Sequence, residues 1–217
     1  VKLAIISDIH GNLPALQAVL RDIRGVDEIL CAGDLVGYNP YPSEVIEIIR
    51  SNEIPCIMGN HDEAVVTGDT SWFNPIAAYA ISWTRRILRG DELRFLSELP
   101  FSVKRDWISV FHGSPRSNKE YVYEWSFLEE IVKEVKERVI VLGHTHMPFI
   151  RKLDSKIVAN AGSVGQPRDG DPRACYLIIS EESIEMRRVK YNIEEVYERI
   201  IEVGLPEFLA ERLLRGV

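Results

Sequence analysis

The sequence predicts an α/β fold, and three observations predict it. Five times, a short apolar run rich in β-branched residues stops at a cluster of Gly, Asp, Asn or His. Helical patterns separate the early runs. After His146 the pattern changes to strand-like stretches joined by short turns. Short apolar runs bounded by turn residues read as strands buried on both faces. Strands alternating with helices imply a parallel sheet with right-handed crossovers.

Residues 3–6 form the first run and lead to Asp8-Ile9-His10-Gly11. Asn12 is placed to cap a helix with Pro14 in its first turn, and Leu16, Val19, Leu20 and Ile23 repeat at helical spacing. Residues 29–32 lead to Gly33-Asp34. Residues 42–50 predict a second helix, with Val45, Ile46, Ile48 and Ile49 apolar. Residues 54–58 predict a third strand, ending at Gly59-Asn60-His61-Asp62. Residues 64–99 read as mostly helical and carry Trp72, Phe73, Tyr79 and Trp83. They form either a helix pair on the sheet or a cover whose polar loop, 67–74, overhangs the strand ends. Residues 107–111 lead to His112-Gly113, and residues 139–142 to Gly143-His144-Thr145-His146. Residues 149–153, 156–160, 174–179 and 184–189 predict a meander forming a second sheet. Asn192 and Glu195 suit a capping box, Gly204 ends that helix, and Pro206 opens a last amphipathic helix to Leu214.

The 217 residues suit one domain with a substantial core. No apolar run reaches the length of a bilayer span. The first residues, Val1-Lys2-Leu3-Ala4-Ile5-Ile6, lack the pattern of a signal peptide, so a soluble cytoplasmic protein is expected, without membrane partners. Cys31, Cys56 and Cys175 are widely spaced, which argues against a disulfide framework and for small buried residues. A net charge of −7 disfavours nucleic acid and anionic membrane as partners. It does not exclude a small anionic substrate, because bound cations invert the local field.

In open α/β sheets, ligands bind beyond the carboxyl ends of the strands. All five clusters sit at that end, so one edge is expected to collect Asp8, His10, Asp34, Asn60, His61, His112, His144 and His146. Each cluster alone has an ordinary reading as a turn or a satisfied histidine. Together they hold all five histidines of the chain, and that points to a metal site. Carboxylate and imidazole ligands with open positions suit hydrolysis of phosphate esters. Two cations about 3.5–4 Å apart clamp the phosphate oxygens and lower the pKa of bound water towards about 7.

The ordered series of motifs resembles the calcineurin-like metallophosphoesterase superfamily over residues 1 to about 165. The resemblance implies a four-layer αββα sandwich, two mixed β-sheets flanked by helices, in one domain spanning 1–217. In it the helical segment 64–99 lies near the active site, and C-terminal helices occupy 192–215. Residue by residue, it implies one divalent metal held by Asp8, His10, Asp34 and His146. It implies a second metal held by Asp34, Asn60, His112 and His144, with Asp34 bridging. A hydroxide between the metals would attack phosphorus in line, His61 would protonate the leaving oxygen, and Asp62 would orient His61.

Manganese is the expected metal, and the ligand set also accepts Fe, Zn, Co, Ni or Mg. Gly33-Asp34-Leu35-Val36-Gly37-Tyr38 lacks the Asp-Arg-Gly of the protein-phosphatase branch, and Asp62 replaces that branch's Glu. With the loop Gly162-Ser163-Val164-Gly165, the sequence looks more like the compact prokaryotic phosphodiesterase-type branch. Asn12, Arg116 and Arg168 are candidate substrate contacts. A helix cap explains Asn12 equally, and pairing with Asp169 or Asp171 explains Arg168 or Arg173. The expected function is a metal-dependent phosphoesterase, preferably a phosphodiesterase. The alternatives are a nucleotide-polyphosphate hydrolase, a phosphomonoesterase, or an inactive scaffold of the same fold. Oligomeric state is not legible.

Overall fold

Residues of the first strand, β1 (Lys2–Ile6), alternate between two apolar clusters, Ala4 and Ile6 facing one, Leu3 and Ile5 the other. A strand buried on both faces needs a cover on each side. In the computed structural model, which describes residues 1–217, helices cover one side and a second sheet covers the other. The first sheet has the order β2-β1-β8-β9, with β2 (Glu28–Cys31) parallel to β1. Its remaining strands, β8 (Ala174–Ser180) and β9 (Ile184–Val189), are antiparallel neighbours. The second sheet has the order β3-β4-β5-β7-β6. Parallel β4 (Ile108–Phe111), β5 (Val139–Leu142) and β7 (Lys156–Asn160) form its centre. Antiparallel β3 (Ser102–Arg105) and β6 (Phe149–Leu153) form its edges.

Helices α1 (Leu13–Asp22) and α2 (Pro42–Ser51) bury Leu16, Val19, Val45 and Ile49 on the first sheet. Ala64 and Val65 of α3 (Asn60–Thr67) and Leu96 of α5 (Gly90–Ser97) extend the same cluster. On the far face of the second sheet, Leu128 and Ile131 of α6 (Leu128–Glu134) pack against Ile140, Leu142 and Val158. The four layers predicted as αββα are therefore present, with the outer layer on this side a single short helix. Helices α7 (Ile193–Glu202) and α8 (Glu207–Arg215) join α4 (Pro75–Ile87) in a satellite core of Ala77, Trp83, Ile200 and Leu209. The last helix thus packs within its own chain. No helix is long and apolar enough to cross a membrane. All three cysteines are buried and free.

Four expectations change. Residues 54–58 do not make a strand; a single parallel bridge, Cys31 to Cys56, replaces it. Pro55 has no N–H to continue a ladder, and the Met58 N–H turns away to Pro100 O at 2.8 Å. The meander after His146 is also divided. β6 is largely exposed and stays at an edge of the second sheet. The near-continuous apolar run of β8 suits a central position, and it lies between β1 and β9 in the first sheet. The ligand clusters accordingly come from two facing sheets rather than one edge. Last, Asn192 accepts from Glu195 N at 3.4 Å, but Glu195 reaches only the Asn192 side chain, so the reciprocal half of the capping box is missing.

Candidate metal centre

Strand ends normally continue in extended backbone. Here Asp8, His10, Asp34, His144 and His146 all have left-handed φ, between 50° and 65°. That conformation costs an L-residue roughly 1–2 kcal/mol, and such residues concentrate where surrounding contacts over-determine them. The contacts are visible. His10 N–H donates to Asp34 O at 2.9 Å, and Asp8 N–H to Gly33 O at 2.9 Å, binding the ends of β1 and β2 together. The loop predicted at 162–165 clamps the same segment. Val164 N–H donates to Ser7 O at 2.9 Å, Gly165 N–H to Asp8 O at 3.0 Å, and Ser163 Oγ to Asp8 O at 2.7 Å. Gly143 N–H donates to His112 O at 2.8 Å, and His144 N–H to Asp8 Oδ2 at 3.0 Å, which joins the second sheet to the first.

These turns aim three groups of donors at one place: Asp8, His10 and His146; His10, Asp34 and His61; and Asp34, His112 and His144. All are buried. His146 Nε2 lies 3.1 Å from Asp8 Oδ1 and 3.0 Å from His10 Nε2. Asp34 Oδ2 lies 3.6 Å from His10 Nε2 and 3.3 Å from His112 Nε2. Asn60 Oδ1 lies 2.9 Å from His112 Nε2. Every predicted metal ligand is in the cluster, and Asp34 belongs to both halves.

The chemistry of this donor set fits cations. The Nδ1 atoms of His10, His112 and His146 face the carbonyls of Val36, Ala32 and Gln166 at 3.1, 2.8 and 2.5 Å. Donating there leaves Nε2 of His10 and of His146 as a lone pair turned inward. Two such lone pairs 3.0 Å apart, on His10 and His146, repel unless a positive charge lies between them. That separation suits two donors on one ion with metal–nitrogen bonds of about 2.0–2.1 Å. Asp8 Oδ1, Asp34 Oδ2 and His144 Nε2 are buried with no hydrogen-bond partner, a costly state for carboxylate oxygens in particular.

Burial lowers the pKa of His10 and His146 well below the ordinary value, and takes His144 down to about 3. His112 is the exception. Burial opposes its proton, yet Asp34 beside it carries it up to about 10. A proton on His112 thus answers the negative charge that a cation would otherwise answer.

His61 and Asp62 occupy the first turn of α3. The His61 ring is buried between Tyr38, His10 and Phe73, with centroid separations of 4.5, 4.7 and 4.9 Å. Gly37, at φ 122°, is required here because a Cβ would strike that ring. Burial takes the His61 pKa down to about 4. Asp62 does not orient His61, contrary to expectation. Its Oδ1 accepts from Leu35 N and Val36 N at 2.9 and 3.2 Å, and its Oδ2 from Gly59 N at 3.0 Å. It caps the helix that carries Asn60 and His61, and it fixes the loop after Asp34. Burial and the nearby Asp34 carboxylate push its pKa up to about 7. An Asp62→Asn variant sets an amide NH₂ against a backbone N–H. It is expected to lose about 1–3 kcal/mol of stability, read as a lowered melting temperature; an unchanged one would contradict this role.

Two predicted substrate contacts are placed elsewhere. Asn12 is fully buried, its Oδ1 accepting from Ala15 N at 3.1 Å and its Nδ2 donating to Gly165 O at 2.9 Å, so both ends are committed to structure. Arg116 pairs with Glu134 at 2.5 Å and Glu130 at 3.5 Å, and it does not line the cavity over the ligands. The acids drew it away. Arg168 does line that cavity, and its expected acid partners are taken: Asp169 pairs with Arg188, and Asp171 with Arg173.

The cavity has a volume of about 400 Å³ and is also lined by Tyr38, Trp72, Phe73, Tyr121 and Arg212. The loop 67–74 therefore does overhang the site. Tyr121 stacks on His144 with centroids 4.1 Å apart, and Trp72 lies 5.8 Å from Tyr121. Tyr121 and Arg212 carried no local sequence signal, since neither sits in a ligand-type cluster.

The chain is similar to known proteins over nearly its whole length. Residues 1–183 match the family model described as the calcineurin-like phosphoesterase superfamily domain. An uncharacterized protein of Methanocaldococcus jannaschii is 38% identical, over 99% of this chain and 98% of its own. The crystal structure of a metallophosphoesterase from Sphaerobacter thermophilus is 37% identical, with a TM-score of 0.89 covering 100% of this chain and 99% of that one. The phosphodiesterase YfcE of Escherichia coli is 27% identical over 79% of this chain and 84% of its own.

Proposed function

The chain belongs to the calcineurin-like phosphoesterase superfamily, and from that premise we propose that it hydrolyses phosphodiesters with two divalent metal ions and His61 as proton donor. The observation that carries this reading is Asp34. Its Oδ2 is buried, has no hydrogen-bond partner, and lies near donors of both ligand groups. A shared carboxylate is what a two-cation site requires. Asp8, His10, Asp34 and His146 would hold one ion, and Asp34, Asn60, His112 and His144 the other. When bound, such ions neutralise phosphate oxygens and make water a nucleophile near neutral pH.

The chain's own groups do the rest. The backbone carbonyls behind His10, His112 and His146 fix the tautomers. His61 lines the cavity, where the ester's leaving oxygen would lie within its reach. Neutral in the free site, it gains its proton when an anionic phosphate arrives beside it. Trp72 and Tyr121 give one side of the cavity an apolar wall for an ester group. The name of the YfcE relative also favours diesters.

A panel of monoesters, diesters and nucleotide polyphosphates, run with Mn²⁺, Fe²⁺, Zn²⁺ and Co²⁺, tests the reading. The highest kcat/KM is expected on a diester; a monoester turned over best would replace it. Base–aromatic stacking is worth about 1–3 kcal/mol. Trp72→Ala is therefore expected to raise KM for aryl or nucleoside esters about tenfold, and to leave KM for a small alkyl ester within about twofold. Equal change on both would remove the wall from the account.

A further inference from the structure

The wall that Trp72 and Tyr121 give the cavity does not end at the rim. The Tyr121 ring stacks on His144 at 4.1 Å and lies 24° from the plane of Trp72. Beyond it, the Tyr123 ring is parallel to Tyr121 within 6°, with centroids 6.2 Å apart. The Trp125 ring is parallel to Tyr123 within 2°, at 4.9 Å. The rings form one ladder that starts beside a predicted metal ligand and runs outward. Only Trp72 and Tyr121 line the cavity.

Residues 121, 123 and 125 send their rings to one side, the alternation of an extended chain. Val122 between them is buried with Leu128 and Ile131 against the second sheet. Tyr123 N–H donates to Ser126 Oγ at 3.0 Å, and Ser126 N–H donates back to Tyr123 O at 3.0 Å, which closes a turn around Trp125. The strap is thus fixed from beneath, yet Trp125 is 73% exposed and contributes little to the core. An exposed apolar surface continuous with a cavity marks a place where a ligand binds. Parallel ring faces suit a flat ring system, which stacks on them whatever groups its edge carries.

The charges around the strap choose the occupant. Lys119 faces Glu63 at 3.1 Å, Arg151 faces Glu124 at 3.6 Å, and Arg116 faces Glu120 at 3.7 Å. Ring faces among paired charges suit the uncharged nucleoside arm of a small ester. A polynucleotide would need cations for its further phosphates, and the net charge of −7 weighs against it.

We infer that Tyr123 and Trp125 form a second ring subsite outside the cavity, which takes the far nucleobase of a small dinucleoside phosphodiester whose near base lies on Trp72 and Tyr121. This deepens the phosphodiesterase reading and rests on it for the place of the scissile phosphate.

The test compares two probes, a nucleoside methylphosphinate and a dinucleoside phosphinate, by calorimetric titration of the metal-loaded protein. Carbon replaces both bridging oxygens in each, so neither is hydrolysed. Wild type is expected to bind the dinucleoside probe at least tenfold more tightly, because a base stacked on an aromatic ring adds roughly tenfold or more. In Tyr123→Ala and Trp125→Ala that ratio should fall by about tenfold, with the mononucleoside probe bound within about twofold of wild type. A ratio that the variants leave unchanged overturns the inference, whether both probes weaken equally or neither does. So does a wild-type ratio near one, a result that needs no variant to fold. Binding needs no turnover, so the two readings fail separately. Protein that hydrolyses no ester but keeps the ratio would sink the phosphodiesterase reading alone, and protein active on diesters with a ratio near one would sink the ring subsite alone.

Discussion

Replacing His61 by alanine is expected to lower kcat on an alkyl or nucleoside diester by about 10²–10⁴-fold, the range of general acid catalysis, and to leave metal content unchanged. The second half of that expectation separates two roles the geometry offers. His61 stands within reach of His10 and Asp34, in a grouping that could itself ligate an ion. It also lines the cavity, where a leaving oxygen would lie. A ligand would take metal with it when removed; a proton donor would not. Leaving-group chemistry adds a second contrast. p-Nitrophenolate departs without a proton, so the loss on bis-p-nitrophenyl phosphate should be much smaller than on an alkyl diester.

The pH dependence follows from the same group. Burial holds His61 down to about 4 in the metal-free site, and bound cations would hold it lower still. A proton donor acts only in its protonated form, so its contribution falls as pH rises through its pKa. The anionic substrate raises that pKa. The kcat profile should therefore lose activity at a higher pH than the kcat/KM profile, and His61→Ala should abolish this alkaline limb. Equal losses on both leaving groups, or a variant depleted of metal, would assign His61 to the ligand set.

Asp34→Asn should be the most damaging single change at the ligands. The amide keeps the volume and can still accept the His61 N–H, which Asp34 Oδ1 takes at 2.8 Å. It removes the charge shared by the two donor groups. Loss of groups that merely orient ligands costs about 10–100-fold in metal affinity. Loss of a shared ligand should exceed that for at least one ion, with turnover falling to background. An independent signal is available in metal-free protein. Asp34 carries His112 up to about 10, so the His112 titration seen by NMR should move down in this variant. Full metal occupancy with wild-type turnover would remove Asp34 from the centre of the account.

How much of this was legible in the sequence depends on whether the signal was local. Asp8-Ile9-His10 and His144-Thr145-His146 pair ligand chemistry with a strand end, and both halves of that signal lie within a few residues. The residues that cluster could therefore be read before the fold was known. Partners that depend on long-range packing could not. Arg168 and Arg116 have similar sequence surroundings, each an arginine near acids. Only the packing shows that Glu134 takes one and that Arg188 and Arg173 take the acids near the other. Asp62 follows His61 directly, but its carboxylate is turned to the backbone of residues 35, 36 and 59. Adjacent residues in a helical turn do not share a direction. The four layers were anticipated, but the division of strands between sheets was not. Alternation along a strand shows which faces are buried and leaves the neighbours undetermined.

The proposed site holds two divalent ions and hydrolyses phosphate esters with them. Titration of metal-stripped protein with Mn²⁺, following hydrolysis of bis-p-nitrophenyl phosphate, tests both parts at once. The stripped protein should show no turnover, and activity should rise with added metal and saturate near two equivalents per chain. Turnover independent of metal, saturation at one equivalent, or metal-loaded protein inactive on this and every other phosphate ester would contradict it.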